Sequence, residues 1–405
     1  MPKSFYNLLT ASGFGNLCDG LLLVVLPLYA ATQTRNPAEI SALLFAAMLP
    51  WLMFSPFAGV LVDRYNRKNL MVFVSLFRCF LLFCACLIIF WQIDGVFWLY
   101  MLAFLLGCAE VIFDTVSATI LPSIVSTEEL EEANRYLAAV QFVTNDFLGK
   151  SLAGFLFSVT PWAPFFLQSL LHGGAAKAIY QISVPLAYKP ITHKRQPLYS
   201  QIATGFRVLW HHPVLRTLSL LSVVRNILES GATAVLVLYA LELLQLDEVG
   251  YGLLLSCAAV GGIVAAFFVQ YLLAAWGSGN TLVIAIFLAG ITFAVISFFP
   301  NTFVVAVMLF LFTMTEVVWN VVSTSFRQSV VPSELLGRVN ASWRLTSRGT
   351  RSVGAIMGGV IAAAFGLTVP FLLMGLGGVI MSILTASRIN NRAFEAGRDH
   401  AVVGD

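Results

Sequence analysis

The chain is a succession of long apolar segments. They lie near 5–31, 38–62, 69–92, 96–121, 135–158, 162–187, 214–241, 249–275, 280–299, 302–327, 338–365 and 368–389. Each is long enough to cross the hydrocarbon core of a bilayer, which takes about 20 residues of α-helix. Inside lipid, backbone N–H and C=O groups must be satisfied without water, so runs of this length dictate helices. Composition agrees: 59% of the 405 residues are hydrophobic, 11% are charged and the mean hydropathy is +0.87. A soluble domain carries about 25% charged residues. The sequence therefore predicts an all-α polytopic membrane protein of twelve transmembrane helices. The net charge of +3 sits in loops and gives no argument for nucleic acid. Met1-Pro2-Lys3 leads straight into a full-length span, so no cleavable signal is expected. The six cysteines all lie in apolar segments without zinc-ligand spacing. They read as small core residues, and neither a metal nor a cofactor is expected.

The loops set the orientation. Even-numbered loops hold Arg64, Arg67 and Lys68, then Lys189, Lys194, Arg195, Arg207 and Arg216. Odd-numbered loops hold Arg35 and almost no other base, and the C-terminal tail adds Arg388, Arg392 and Arg398. Short cytoplasmic loops carry the Lys/Arg excess, so both termini are expected in the cytoplasm, in an inner membrane. The longest loop, 188–213, divides the chain into 1–187 and 214–405. Within it Ile202, Phe206, Leu209 and Trp210 recur at helical spacing beside Arg207, His211 and His212. This reads as an amphipathic helix on the inner membrane surface, with the two histidines as interfacial polar residues.

The tightest loop is Gly59-Val60-Leu61-Val62-Asp63-Arg64-Tyr65-Asn66-Arg67-Lys68. It joins two spans with an acid, three bases and a turn residue. Asn66 is a residue that tolerates a left-handed turn, and Gly59 permits close helix approach. The stretch resembles the signature loop of the major facilitator superfamily, with Asn66 where that family usually has glycine. The resemblance implies two six-helix lobes that rock about a central site. It also implies that Gly59, Asp63, Arg64 and Arg67 latch the lobes on the cytoplasmic side.

The halves repeat. At a shift of 210, Asn16, Asp19 and Gly20 fall on Asn226, Glu229 and Ser230, and Ser12 on Ser222. At 206, Glu110, Asp114 and Ser117 fall on Glu316, Asn320 and Ser323; at 205, Gly149 and Gly154 fall on Gly354 and Gly359. Two parallel six-helix halves make one pseudo-symmetric protein. The segment from Val330 to Asn340 is similar to the loop before helix eleven in the branch containing the enterobactin exporter and macrolide-efflux proteins. Gly149 to Gly154 resembles a glycine motif of exporters, although Lys150 stands where a proline usually follows.

Ionisable residues inside spans are costly and point to function. Ser12, Asn16 and Asp19 recur at i, i+4 and i+7, as do Ser222, Asn226 and Glu229 in the second half. Glu110, Asp114 and Ser117, and Glu316, Asn320 and Ser323, follow the same spacing, so each set lines one helix face. In the resembled fold these helices line the central cavity. Asp19, Glu110, Asp114, Glu229 and Glu316 are the expected proton carriers, and Asn16, Asn226 and Asn320 expected substrate contacts. Arg344, Arg348 and Arg351 fall within an arc of about 60° on span eleven. Such a stripe requires carboxylate partners or an anionic ligand. Arg225 lies four residues before Glu229 and can neutralise it. Arg78, His172 and Lys177 are isolated intramembrane polar residues without an assigned role.

The reading is a monomeric secondary transporter, not an enzyme, whose partners are a small-molecule substrate, protons and the bilayer. Proton-coupled export of a small organic molecule is expected, a siderophore-like anion by preference. The alternatives are a multidrug or macrolide proton antiporter, or an importer of a siderophore or organic anion. No nucleophile elbow, metal-ligand cluster, phosphate loop or Walker motif occurs in the sequence.

Overall fold

A computed structural model of the chain describes residues 1–93, 95–121, 124–126, 129–182 and 198–399. For residues 55–64, 118, 119, 131, 146, 198–202, 333, 334 and 399 it describes the backbone only. The first half runs α1 (Lys3–Gln33), α2 (Pro37–Arg64), α3 (Arg67–Phe90), α4 (Phe97–Ile120), α5 (Leu130–Gln141), a π-helical stretch (Phe142–Gly149), α6 (Lys150–Val159) and α7 (Ala163–Tyr180). After α8 (Leu198–His211) come α9 (Pro213–Ala234), the short α10 (Leu236–Leu238) with a π-helical turn (Tyr239–Leu243), and α11 (Glu248–Trp276). The chain continues through α12 (Ser278–Phe298), α13 (Thr302–Val330), α14 (Ser333–Phe365), α15 (Val369–Ile389) and α16 (Asn391–Asp399). No strand occurs among the described residues.

Nine segments among the described residues are long and apolar enough to cross a membrane. The other three expected spans coincide with α5 to α6, with α7 and with α14. Each falls short in length or apolarity for a local reason. The run from Leu130 to Val159 is divided into pieces of 12, 8 and 10 residues. Gln168, His172 and Lys177 interrupt α7, and Arg338, Arg344, Arg348 and Arg351 interrupt α14. Polar residues in a spanning helix belong on the protein side, where partners are available.

The helices form two compact units. Unit 1 comprises Met1–Arg35, Ala46–Lys194 and Leu246–Ser256; unit 2 comprises Asn36–Phe45, Arg195–Gln245 and Cys257–Asp405. The first turns of α2 thus belong to unit 2, and those of α11 to unit 1. Each unit has its own core: Phe5, Leu8, Met71, Val116 and Ile179 in unit 1, and Leu218, Leu282, Trp319, Phe326 and Ile389 in unit 2.

Glycines position the helices, and they do so twice. In unit 1 a Cβ on Gly149 would meet Gly20 of α1, and one on Gly154 would overlap the Glu248 carbonyl at the start of α11. In unit 2 a Cβ on Gly354 would overlap the Ile227 carbonyl of α9, and one on Gly359 would strike Ser41 near the start of α2. The repeat read in the sequence is therefore a repeat of close helix crossings. Only a residue without a side chain lets backbones approach so closely. At the first crossing Gly20 lies against the Asn145 carbonyl, inside the π-helical stretch that widens this part of span five.

Two expectations change. Asn66 is extended (φ −63°, ψ 118°), not left-handed; its side chain accepts a hydrogen bond from the Asn69 N–H and caps α3. An N-cap asparagine satisfies one of the orphan amides of a helix start. His212 is buried rather than interfacial. Its Nδ1 accepts from the Leu215 N–H (3.3 Å) and its Nε2 donates to the Gly397 carbonyl (2.9 Å), tying α16 to the start of α9. The expected amphipathic helix is present as α8, with Leu209 buried and Trp210 exposed. Residues 188–197 of the expected linker lie outside the described residues, as do the side chains of the expected latch residues Gly59, Asp63 and Arg64. Arg67 is half-buried in the first turn of α3.

Candidate functional site

Each unit carries a cluster of charged side chains between its helices. In unit 2 the frame is the close approach of α9 and α14, where Gly231 faces Gly354 and Gly358. The Ser230 hydroxyl donates to the Arg351 carbonyl (2.6 Å), fixing the register of the two helices. This brings the Arg351 guanidinium onto Glu229, where Nη2 donates to Oε1. Glu229 also faces Arg225 one turn earlier on α9, with Nη2 and Oε2 3.7 Å apart. Arg225 in turn donates to Glu316 of α13 and lies 4.7 Å from the centre of the Trp319 ring. Two guanidiniums and two carboxylates thus form a neutral chain Glu316–Arg225–Glu229–Arg351. Its centre is buried: the side chains of Arg225 and Glu229 are 8% and 6% exposed, against 40% for Arg351. In so low a dielectric an unbalanced charge is expensive, and the pairing removes the imbalance.

In unit 1 the acid at the matching position is Asp19. Its partner is Arg78 of α3, with Nη1 and Oδ1 3.5 Å apart. Arg78 is buried and its guanidinium lies 5.7 Å from the Phe113 ring centre, whereas Asp19 is one-third exposed (32%). Asp19 and Arg78 line a cleft together with Cys18, Glu110, Gln168 and His172. The cleft has room for about three water molecules.

The remaining expected residues distribute around these clusters. Glu110 lines the unit 1 cleft, while Asp114 is half-buried one turn further along α4. Asn226 is buried and donates to Ser222 (3.1 Å), Asn16 is half-buried and Asn320 is exposed. Arg348 is half-buried and Arg344 exposed, one and two turns before Arg351 on α14. The structure therefore joins Glu316 to Glu229 through Arg225 and pairs Glu229 with Arg351, and in unit 1 it pairs Asp19 with Arg78 beside a cleft that Glu110 also lines. Arg78 and His172 had no assigned role from sequence, and Gln168 was not singled out. The available signal was the i, i+4 spacing of Gln168 and His172 in an apolar helix. Arg327 was also missed. It is buried in unit 2, donates to the Asn340 side chain (2.8 Å) and stacks 4.5 Å from the Trp343 ring centre.

Known proteins resemble the chain along nearly its whole length. The multidrug efflux pump Tap of Mycolicibacterium fortuitum is 25% identical, the match covering 92% of each chain. Macrolide efflux protein A of Streptococcus pyogenes is 20% identical with the same coverage. Among solved structures, a bacterial homologue of the iron transporter ferroportin superposes with a TM-score of 0.69 at 18% identity, over 95% of this chain and 98% of that one. Residues 8–354 match the sequence model of the Major Facilitator Superfamily. The chain belongs to that family of membrane transporters.

Proposed function

We propose that this chain is a proton-coupled exporter of lipophilic, drug-like molecules, seated in a bacterial cytoplasmic membrane as a monomer with both termini in the cytoplasm. One observation carries the choice of substrate. The deepest arginine of the α14 stripe, Arg351, is engaged by Glu229, and Arg225 by Glu316. Their charge is already balanced within unit 2, so an anionic substrate would have to displace a carboxylate to reach them. Relatives named for multidrug and macrolide efflux support the same reading. The coupling chemistry is assigned to unit 1. Asp19 is one-third exposed and held by a 3.5 Å pair beside a cleft that admits water. A proton and a cationic substrate compete for such a carboxylate, which is the logic of antiport. A proton reaching Glu229 would instead have to displace two guanidinium contacts. Asp63, Arg64 and Arg67 remain the proposed latch, with Gly59 allowing its close packing.

A second reading is favoured by the exposure of Arg344 and the half-burial of Arg348. These two guanidiniums could bind a siderophore-like polycarboxylate as bidentate forks. The test uses purified chain in proteoliposomes with ethidium as the cation and a tricarboxylate siderophore as the anion. Ethidium should accumulate against its gradient only when a pH gradient is imposed, and a protonophore should abolish this. Siderophore affinity that falls tenfold to a hundredfold in Arg348→Ala, the loss of about 1.5–3 kcal/mol from one charged hydrogen-bond fork, would favour the anion reading. Ethidium movement indifferent to the pH gradient would remove proton coupling.

A further inference from the structure

The end of unit 2 where α9, α12 and α14 begin and α13 and α15 finish carries a surface that the charge clusters do not use. α8 lies on it. A Cβ on Gly205 would overlap the Arg338 carbonyl and the Ser342 hydroxyl of α14, and Leu209 is buried in the unit 2 core. At about 100° per residue the opposite face of α8 presents Ala203, Phe206, Arg207, Trp210 and His211, and all five are exposed. That face has two edges of different chemistry. Phe206 and Trp210, 36% and 58% exposed, share one; Arg207 and His211 share the other.

The C-terminal helix α16 is pinned at the end of α8. The Asn391 Oδ1 accepts from the Gly279 and Asn280 N–H groups at the start of α12 (2.9 and 3.1 Å), and the Gly397 carbonyl accepts from His212. Phe394 is buried, its ring centre 4.4 Å from that of Phe326. Held in this way, α16 exposes Arg392 and Arg398, next to exposed Arg216 in the first turn of α9 and Arg388 in the last turn of α15. None of Arg207, Arg216, Arg388, Arg392 and Arg398 has an ion-pair partner among the described residues. Among the described side chains of these segments Glu395 is the one acid. The surface is therefore of one sign and favours an anionic partner. An aromatic edge beside a basic edge is the profile of a helix lying in the headgroup layer, with rings at the acyl boundary and bases level with the phosphates. A guanidinium also matches a phosphate oxygen pair as a fork. An acidic protein would meet the charge but leave the aromatic edge unused, and a second copy of this surface would repel the first.

We propose that α8 and α16, with the adjoining ends of α9 and α15, form a binding surface for anionic phospholipid headgroups. Phe206 and Trp210 sit among the upper acyl chains, and the five arginines meet the phosphates. Under the orientation proposed above these are lipids of the cytoplasmic leaflet. The lipid contact itself needs neither that orientation nor proton coupling; it needs only a chain that spans the bilayer.

The test uses the full chain in phosphatidylcholine nanodiscs doped with brominated phosphatidylglycerol or brominated phosphatidylcholine. Bromine quenches nearby tryptophan, and the share of Trp210 is the difference between the parent and Trp210→Phe. The anionic lipid should quench Trp210 at a several-fold lower mole fraction than the zwitterionic one, and about 0.5 M salt should narrow that gap by screening the charges. Arg207→Gln and Arg216→Gln should each narrow it by up to about fivefold. The variant carrying Arg207→Gln, Arg392→Gln and Arg398→Gln should lose the preference while keeping the parent's unfolding temperature, because all three side chains are exposed. Equal quenching by the two lipids in the parent, or a preference that survives in the triple variant, would overturn the proposal. Quenching by neither lipid would put this face in water or against another protein and overturn it equally. Ethidium movement takes no part in the readout, so a failure of the transport reading leaves this result standing.

Discussion

The two units place an acid at the same point of their first helix and neutralise it in different ways. Asp19 in unit 1 meets the buried guanidinium of Arg78 from α3 at 3.5 Å beside a water-sized cleft. Glu229 in unit 2 meets two, Arg225 from its own helix and Arg351 from α14, and Glu316 completes a neutral chain of four. At the repeat shift of 205, the residue matching Arg351 is Asp146, an acid. The same backbone position carries opposite charge in the two halves, so unit 1 takes its cation from another helix. Packing has kept the duplication and charge has not. One unit buries its acid among two guanidiniums, and the other leaves its acid one-third exposed beside a cleft.

The strongest way to break this comparison is to remove the acid from each unit. Glu229→Gln leaves Arg225 buried with half its partners gone and Arg351 without its carboxylate. Breaking a buried pair in this way costs about 3–5 kcal/mol. Asp19→Asn should cost about 1–2 kcal/mol, because the amide still accepts a hydrogen bond and the cleft admits water. Thermal unfolding of the purified variants in one detergent reads the difference. Equal losses would show that the two clusters are not different in kind. Adding Arg351→Gln to Glu229→Gln should recover part of the loss.

The packing side of the comparison predicts equality. Gly149→Ala places a methyl group against Gly20, and Gly354→Ala places one against the Ile227 carbonyl. Neither obstacle is a flexible side chain, so the helices must separate, at about 1–3 kcal/mol in each unit. Similar drops in unfolding temperature for the two variants would sharpen the claim that the crossings are true repeats. A loss confined to one unit would break it.

Which features were legible in sequence follows from how local their causes are. The glycine crossings repeat at a constant shift, and Asp19 and Glu229 align with their neighbours Asn16 and Asn226, so pattern alone locates them. Arg225 facing Glu229 follows from i, i+4 spacing on one helix. The partner of Arg351 does not: it depends on the register of α9 against α14, which Gly231, Gly354 and Ser230 set in three dimensions. Arg78 and His172 looked solitary because their neighbours come from α1 and α4, far away in the chain. Asn66 and His212 were read by residue type, as a turn former and as an interfacial histidine. Both are helix caps, a role fixed by the conformation of one residue and the amide two or three positions on. The π-helical stretch at Phe142–Gly149 left no periodic signature in an apolar run.

The central claim is that the exchangeable proton resides in unit 1 and the fixed charges in unit 2. The most direct measurement is proton release on binding of ethidium to the purified chain, obtained by calorimetry in buffers of different ionisation enthalpy. The parent should release ~1 proton per ethidium bound, Asp19→Asn little or none, and Glu316→Gln as much as the parent. Undiminished release from Asp19→Asn together with its loss in Glu316→Gln would place the exchange in unit 2 and contradict the account.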